Sequence, residues 1–131
     1  MHETALMQEL LSVVDRAARE SGEGPVRVVH LRIGEMSGVS VDALRFAFEV
    51  LSRGGVAEGA ALECERVPLA VRCAACGAAS HPDDYVFRCA RCGSPEIEII
   101  AGREMEVDYI AVGDENGPET ETDVASSERP R

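Results

Sequence analysis

Two short stretches, CAACG at Cys73–Gly77 and CARCG at Cys89–Gly93, constrain this chain more than any other feature in it. Twelve residues separate the inner cysteines. Two C-x-x-C pairs at such a spacing suit one tetrahedral site in which Cys73, Cys76, Cys89 and Cys92 hold Zn²⁺, each pair forming a knuckle. The glycine behind each second cysteine fits this reading. It can take positive φ, which lets the turn close with backbone N–H groups aimed at sulfur. Arg72, Arg88 and Arg91 lie beside the ligands and can offset the negative charge of four thiolates on one dication. Four protein ligands leave no position for water, so the expected role is structural. The alternative is a redox dithiol beside an incidental second pair, but such motifs open helices, and neither pair here does so evidently.

The chain has five cysteines, an odd count, and its acidic start lacks the layout of a signal peptide. Both points argue against a disulfide framework. Cys64 falls in an alternating stretch and reads as a small buried apolar residue. His81, between the knuckles, is read as outside the ligand set. His30 alternates with Arg32 and is expected on a strand surface.

Around the cysteine segment the pattern is that of a small mixed domain. Leu6, Leu10, Val13, Val14, Ala17 and Ala18 recur at helical spacing from about Thr4 to Ser21, and Gly22 ends the run. "VRVVHLRIGEMSG" is β-branched, with Val29, Leu31 and Ile33 on one face. Ser40 can cap a second helix carrying Leu44, Ala47, Phe48 and Leu51, stopped by Gly54 and Gly55. "ALECERV" alternates with Leu62 and Cys64 opposite Glu63 and Glu65, and "EMEVDYIAV" with Met105, Val107 and Tyr109 opposite Glu104, Glu106 and Asp108. The last of these strands needs a partner, and the first sheet is the available one. From Asp114 onward the sequence is polar, contains proline and has no periodicity, so residues 114–131 are expected to form a disordered acidic tail.

Charge narrows the function. Thirteen basic against 24 acidic residues give a net charge of −11, which repels phosphate backbones and argues against nucleic-acid binding. Aromatic residues near the knuckles are limited to Tyr85 and Phe87. No apolar stretch reaches a membrane-spanning length, and a cytoplasmic location is the expectation.

The first residues, Met1, His2 and Glu3, raise a separate possibility. A free α-amine, the His2 amide nitrogen and the His2 imidazole can close adjacent chelate rings around one ion. That planar, nitrogen-rich set suits Ni²⁺ or Cu²⁺ and suits tetrahedral Zn²⁺ poorly. The Glu3 amide or a side chain can supply a fourth position. The plain alternative is an exposed helix start with no metal.

Taken in order, "MHE" at the start, "LRIGEMSGV", "AFEVLSRGGVAEGA" and the two cysteine pairs resemble the HypA/HybF family of hydrogenase-maturation nickel chaperones, over roughly residues 1 to 112. The resemblance implies an α+β chain. A small α/β nickel-binding domain, two helices on a roughly three-stranded sheet, would span residues 1–69 and 101–113, interrupted by a zinc ribbon at 70–100. It implies Ni(II) as cargo on Met1, His2 and Glu3, and structural Zn(II) on Cys73, Cys76, Cys89 and Cys92. It also implies a chaperone and not an enzyme, which hands nickel to the NiFe-hydrogenase large subunit together with a partner GTPase. Some relatives of this kind also serve urease, so urease maturation proteins are a further partner class. The rival reading is a zinc-ribbon module that binds protein or nucleic acid and has no nickel role; it leaves "MHE" unexplained.

Overall fold

The computed structural model describes residues 3–22, 24–82, 86–113 and the backbone of 120–123. The chain divides into two compact units. One is built from the residues up to Arg32, Gly38–Glu65 and those from Glu106 on; the other from Ile33–Ser37 and Arg66–Met105. The second unit therefore starts earlier and ends later than residues 70–100, and takes in the end of the first strand and the short turn Glu35–Ser37 behind it.

In the first unit, helix α1 (Glu3–Ser21) buries Leu6, Met7, Leu10, Val14, Ala17 and Ala18. This is the apolar stripe expected at helical spacing, except that Met7 is buried while Val13 is only partly covered. Helix α2 (Val41–Leu51) packs against α1 and buries Leu44, Ala47 and Phe48. Ser40 is its N-cap: the side-chain hydroxyl accepts from the Ala43 N–H at 3.2 Å.

Strands β1 (Val26–Gly34), β2 (Ala61–Val67) and β6 (Met105–Val112) form a sheet in the order β2-β1-β6, with a further strand β7 (Thr120–Asp123) beyond β6. On β1, Val29, Leu31 and Ile33 are buried while His30 and Arg32 face outward, as period-two alternation requires. Arg45 of α2 donates to the Leu62 carbonyl of β2 at 2.6 Å, which ties helix to sheet.

Two expectations need correction. β7 lies inside the stretch read as a disordered tail; Thr120–Asp123 pairs antiparallel with Tyr109–Val112. Without β7 this edge of β6 would leave backbone N–H and C=O groups without a strand partner, and "TETD" carries two β-branched threonines, a residue type that favours strands. The rest of 114–131 lies outside the described residues. The sheet thus has four strands where about three were expected. Second, β6 does not alternate cleanly. Glu106 is buried, and Asp108 and Tyr109, expected on opposite faces, both meet His30. Arg32 explains the first departure, since its Nη1 reaches Glu106 Oε1 at 3.1 Å.

In the second unit, β3 (Ala70–Cys73) stands between β4 (Ala79–Ser80) and β5 (Ile97–Ala101), antiparallel to both. Cys73 ends β3 and pairs with Ile97, so the sheet delivers the first knuckle directly. Among the described residues no helix is long and apolar enough to cross a membrane.

Candidate metal centre

The two knuckles are built alike. Gly77 and Gly93 both have φ of 77°, a conformation that favours glycine, and their N–H groups donate to the carbonyls of Cys73 and Cys89 at 2.9 Å. Cys73 N–H then donates to Ala78 O, and Cys89 N–H to Ser94 O, again at 2.9 Å. Each turn thereby aims backbone N–H groups at sulfur. Cys76 N–H lies 3.4 Å from Cys73 Sγ, while the N–H groups of Arg91 and Cys92 lie 3.3 Å from Cys89 Sγ.

The four thiols converge. Sγ of Cys73 and Cys92 are 3.6 Å apart, as are those of Cys76 and Cys89, and all four lie within 4.8 Å of one another. A tetrahedral ion with Zn–S bonds of about 2.3 Å would set sulfurs ~3.8 Å apart. Disulfides would require about 2.05 Å. The spacing therefore suits four thiolates around one ion, with zinc's radius and geometry. Cys73 and Cys89 are buried; Cys76 and Cys92 are exposed.

Electrostatics agree with the donor set. The backbone N–H of Cys76 lowers the Cys73 thiol below its ordinary range. The N–H groups of Cys92 and Arg91 bring Cys89 down to about 6. The Ser94 N–H pulls Cys92 down, but the thiols of Cys73 and Cys89 outweigh it and, with burial, push Cys92 up to about 12. Four thiols crowded together cannot all ionise unaided, whereas a dication at their centre lets them.

The remaining candidates separate cleanly. Cys64 is partly buried on β2 and is not one of the four clustered thiols. His81 directs Nδ1 to the Leu69 carbonyl at 2.9 Å and is likewise outside the cluster. Tyr85 lies outside the described residues. So do Met1 and His2, two of the three residues expected to hold nickel. Glu3, the third, is described. Its carboxylate accepts from the Ser40 N–H at 3.0 Å. Beside it runs a shallow groove lined by Glu3, Thr4, Ala5 and Gln8 of α1 and by Ala43 and Phe46 of α2, the last 69% exposed.

Sequence reasoning missed one cluster. His30 is not a free surface residue: Glu63, Glu65 and Asp108 surround it. Burial alone would lower its pKa, but hydrogen bonds to Glu63 and Glu65 and the charge of Asp108 together raise it above the ordinary histidine value. The signal was present in part, since Glu63 and Glu65 share the outward face of one strand.

The family described as "Hydrogenase/urease nickel incorporation, metallochaperone, hypA" matches residues 1–112. A hydrogenase maturation factor HypA from Roseiflexus sp. is 42% identical over 116 residues, covering 88% of this chain and 94% of that protein. One from Chloroflexus aurantiacus is 40% identical over 108 residues, covering 82% and 95%. The solution structure of the Ni metallochaperone HypA from Helicobacter pylori superposes with a TM-score of 0.67 at 23% identity, covering 88% of this chain and all of that one. At that identity it speaks for the fold alone.

Proposed function

The chain belongs to the HypA family of hydrogenase/urease nickel metallochaperones, and from that premise we propose that it takes Ni(II) at Met1, His2 and Glu3 and delivers it to the NiFe-hydrogenase large subunit. One observation carries the reading. The family match starts at residue 1, so it includes the terminal triplet as well as both cysteine pairs.

The chemistry of the two donor sets divides the labour. Four thiolates at zinc-like spacing close a coordination shell, which suits an ion that stays and holds the second unit together. We assign Zn(II) to Cys73, Cys76, Cys89 and Cys92 in that role. An amine, an amide and an imidazole at a chain terminus favour Ni(II) over Zn(II) and can be approached by a partner's ligands. The terminal site therefore suits cargo that must leave. As a metallochaperone family member the protein binds and presents an ion instead of turning over a substrate. Its proposed partners are a maturation GTPase, the large subunit and, in a urease pathway, urease maturation proteins. The proposed location is the cytoplasm.

Delivery is tested by loading the protein with radioactive nickel and incubating it with a partner GTPase and nickel-free large subunit. Nickel should appear on the large subunit with the intact protein and not with His2→Ala. Equal transfer from both would exclude the terminus as the donor site.

A further inference from the structure

On the outward side of the four-stranded sheet, three neighbouring strands bring one imidazole and three carboxylates together. His30 on β1 stands between β2, which carries Glu63 and Glu65, and β6, which carries Asp108. The ring is held on its face as well as at its edges. Tyr109 stacks on it with centroids 4.7 Å apart and planes 7° apart, and the His30 side chain keeps only 16% of its exposure.

The two ring nitrogens have different surroundings. Glu63 Oε1 lies 3.1 Å from Nδ1, and the Tyr109 hydroxyl lies 3.4 Å from that same oxygen. Nε2 instead faces two carboxylate oxygens, Glu65 Oε1 at 3.1 Å and Asp108 Oδ2 at 3.8 Å. One ligand atom from each of His30, Glu65 and Asp108 falls within 4.8 Å of the others. A carboxylate holding the far N–H of an imidazole fixes its tautomer and leaves the near nitrogen free to ligate, which is how metal-bound histidines are commonly oriented.

Charge points the same way. Arg32 reaches Glu65 Oε2 at 3.5 Å and Glu106 Oε1 at 3.1 Å. Among these contacts, the carboxylates of Glu63, Glu65, Glu106 and Asp108 meet one imidazole and one guanidinium. Acidic charge prevails even with the imidazole protonated. Exchanging the Nε2 proton for a dication adds one positive charge at the point where Glu65 and Asp108 converge.

We propose that His30 Nε2 and one carboxylate oxygen each from Glu65 and Asp108 form a second cation site, for a first-row divalent transition metal of the Ni²⁺ or Zn²⁺ type, with Glu63 fixing the imidazole tautomer and Tyr109 its plane. One nitrogen and two hard oxygens suit such borderline ions and leave positions for water, so the ion exchanges readily. The proposal uses none of the terminal residues and stands apart from the nickel reading above.

The test uses the full, zinc-loaded chain in a His2→Ala background, which removes the proposed terminal ligand. Ni²⁺ alone is titrated while the backbone amides are followed by NMR, with zinc content measured before and after. Saturable paramagnetic broadening should centre on His30, Glu65 and Asp108. His30→Gln and Asp108→Asn should each weaken binding at least about tenfold, and Glu63→Gln, acting from behind the ring, about tenfold. Absence of saturable broadening on these strands would overturn the site. So would broadening that survives both His30→Gln and Asp108→Asn, leaving His30 as an ion-paired imidazolium. Should His30→Gln disturb the sheet, Asp108→Asn decides alone, since it leaves the stacked ring in place.

Discussion

The Glu3 carboxylate accepts a 3.0 Å hydrogen bond from the backbone N–H of Ser40, joining the first turn of α1 to the N-cap of α2. In a capping box the residue at the third helical position, a Glu or Gln, makes this bond to the N-cap N–H. Here that position is Ala43, which cannot reach back, and Glu3 supplies the acceptor from the other helix. The residue directly behind Met1 and His2 is thereby anchored to the domain.

Glu3→Ala should lower stability by about 1 kcal/mol through loss of this bond. Glu3→Gln keeps an acceptor and should melt like the parent. Ser40 engages one carboxylate oxygen, Oε2; if the Glu3 backbone amide supplies the fourth nickel position, Glu3→Gln should also keep its nickel. A Gln variant with parental melting but lost nickel would show that the carboxylate itself is a ligand.

Replacing Cys73 or Cys92 by Ser should remove the bound zinc and unfold the second unit, because a structural zinc site supplies much of the folding free energy of a small module. The first unit, with its own helices and sheet, should keep its secondary structure. Metal analysis and circular dichroism read the two effects separately. A variant that retains its zinc and its melting curve would refute the four-cysteine assignment.

Arg32→Leu should cost about 1–3 kcal/mol, because it strips the 3.1 Å contact from Glu106, which is only 7% exposed. Pairing Arg32→Leu with Glu106→Leu should recover part of the loss, since both charges then go. Thermal melts of the two variants test this. No recovery in the double variant would mean that Glu106 is satisfied by other means.

Truncation after Gly113 should leave zinc and nickel bound, as nothing beyond it offers a Cys or His ligand. It removes β7, however, and exposes the edge of β6 along Tyr109–Val112. Amide exchange along that edge should accelerate, at a stability cost of about 1 kcal/mol. Unchanged exchange there would show that the β6–β7 ladder contributes nothing in solution.

What the sequence disclosed and what it hid follow a physical divide. The α1 stripe, the Ser40 cap and the knuckles with Gly77 and Gly93 rest on local rules of period, hydroxyl position and positive φ, and each was legible. The cluster at His30 was not. It depends on β1 lying between β2 and β6, and strand order is a long-range property that no window of sequence contains. The Glu3–Ser40 bond joins residues 37 apart and was hidden for the same reason. β7 was missed because a four-residue strand built from "TETD" has no apolar face to announce it; it forms by completing an edge.

If the chain terminus holds nickel, as proposed, extending it by one or two residues should destroy the site. The added residues turn the Met1 amine into an amide while every side chain stays in place. Nickel is titrated into the native-start protein, the extended version and His2→Ala, each zinc-loaded and each measured at neutral and acidic pH. The native start alone should bind strongly, with binding weakened in acid as protons compete for the nitrogens, and zinc should be unchanged in all three. Undiminished nickel affinity in the extended version would contradict the amine as a ligand, and undiminished affinity in both variants would place the nickel site elsewhere.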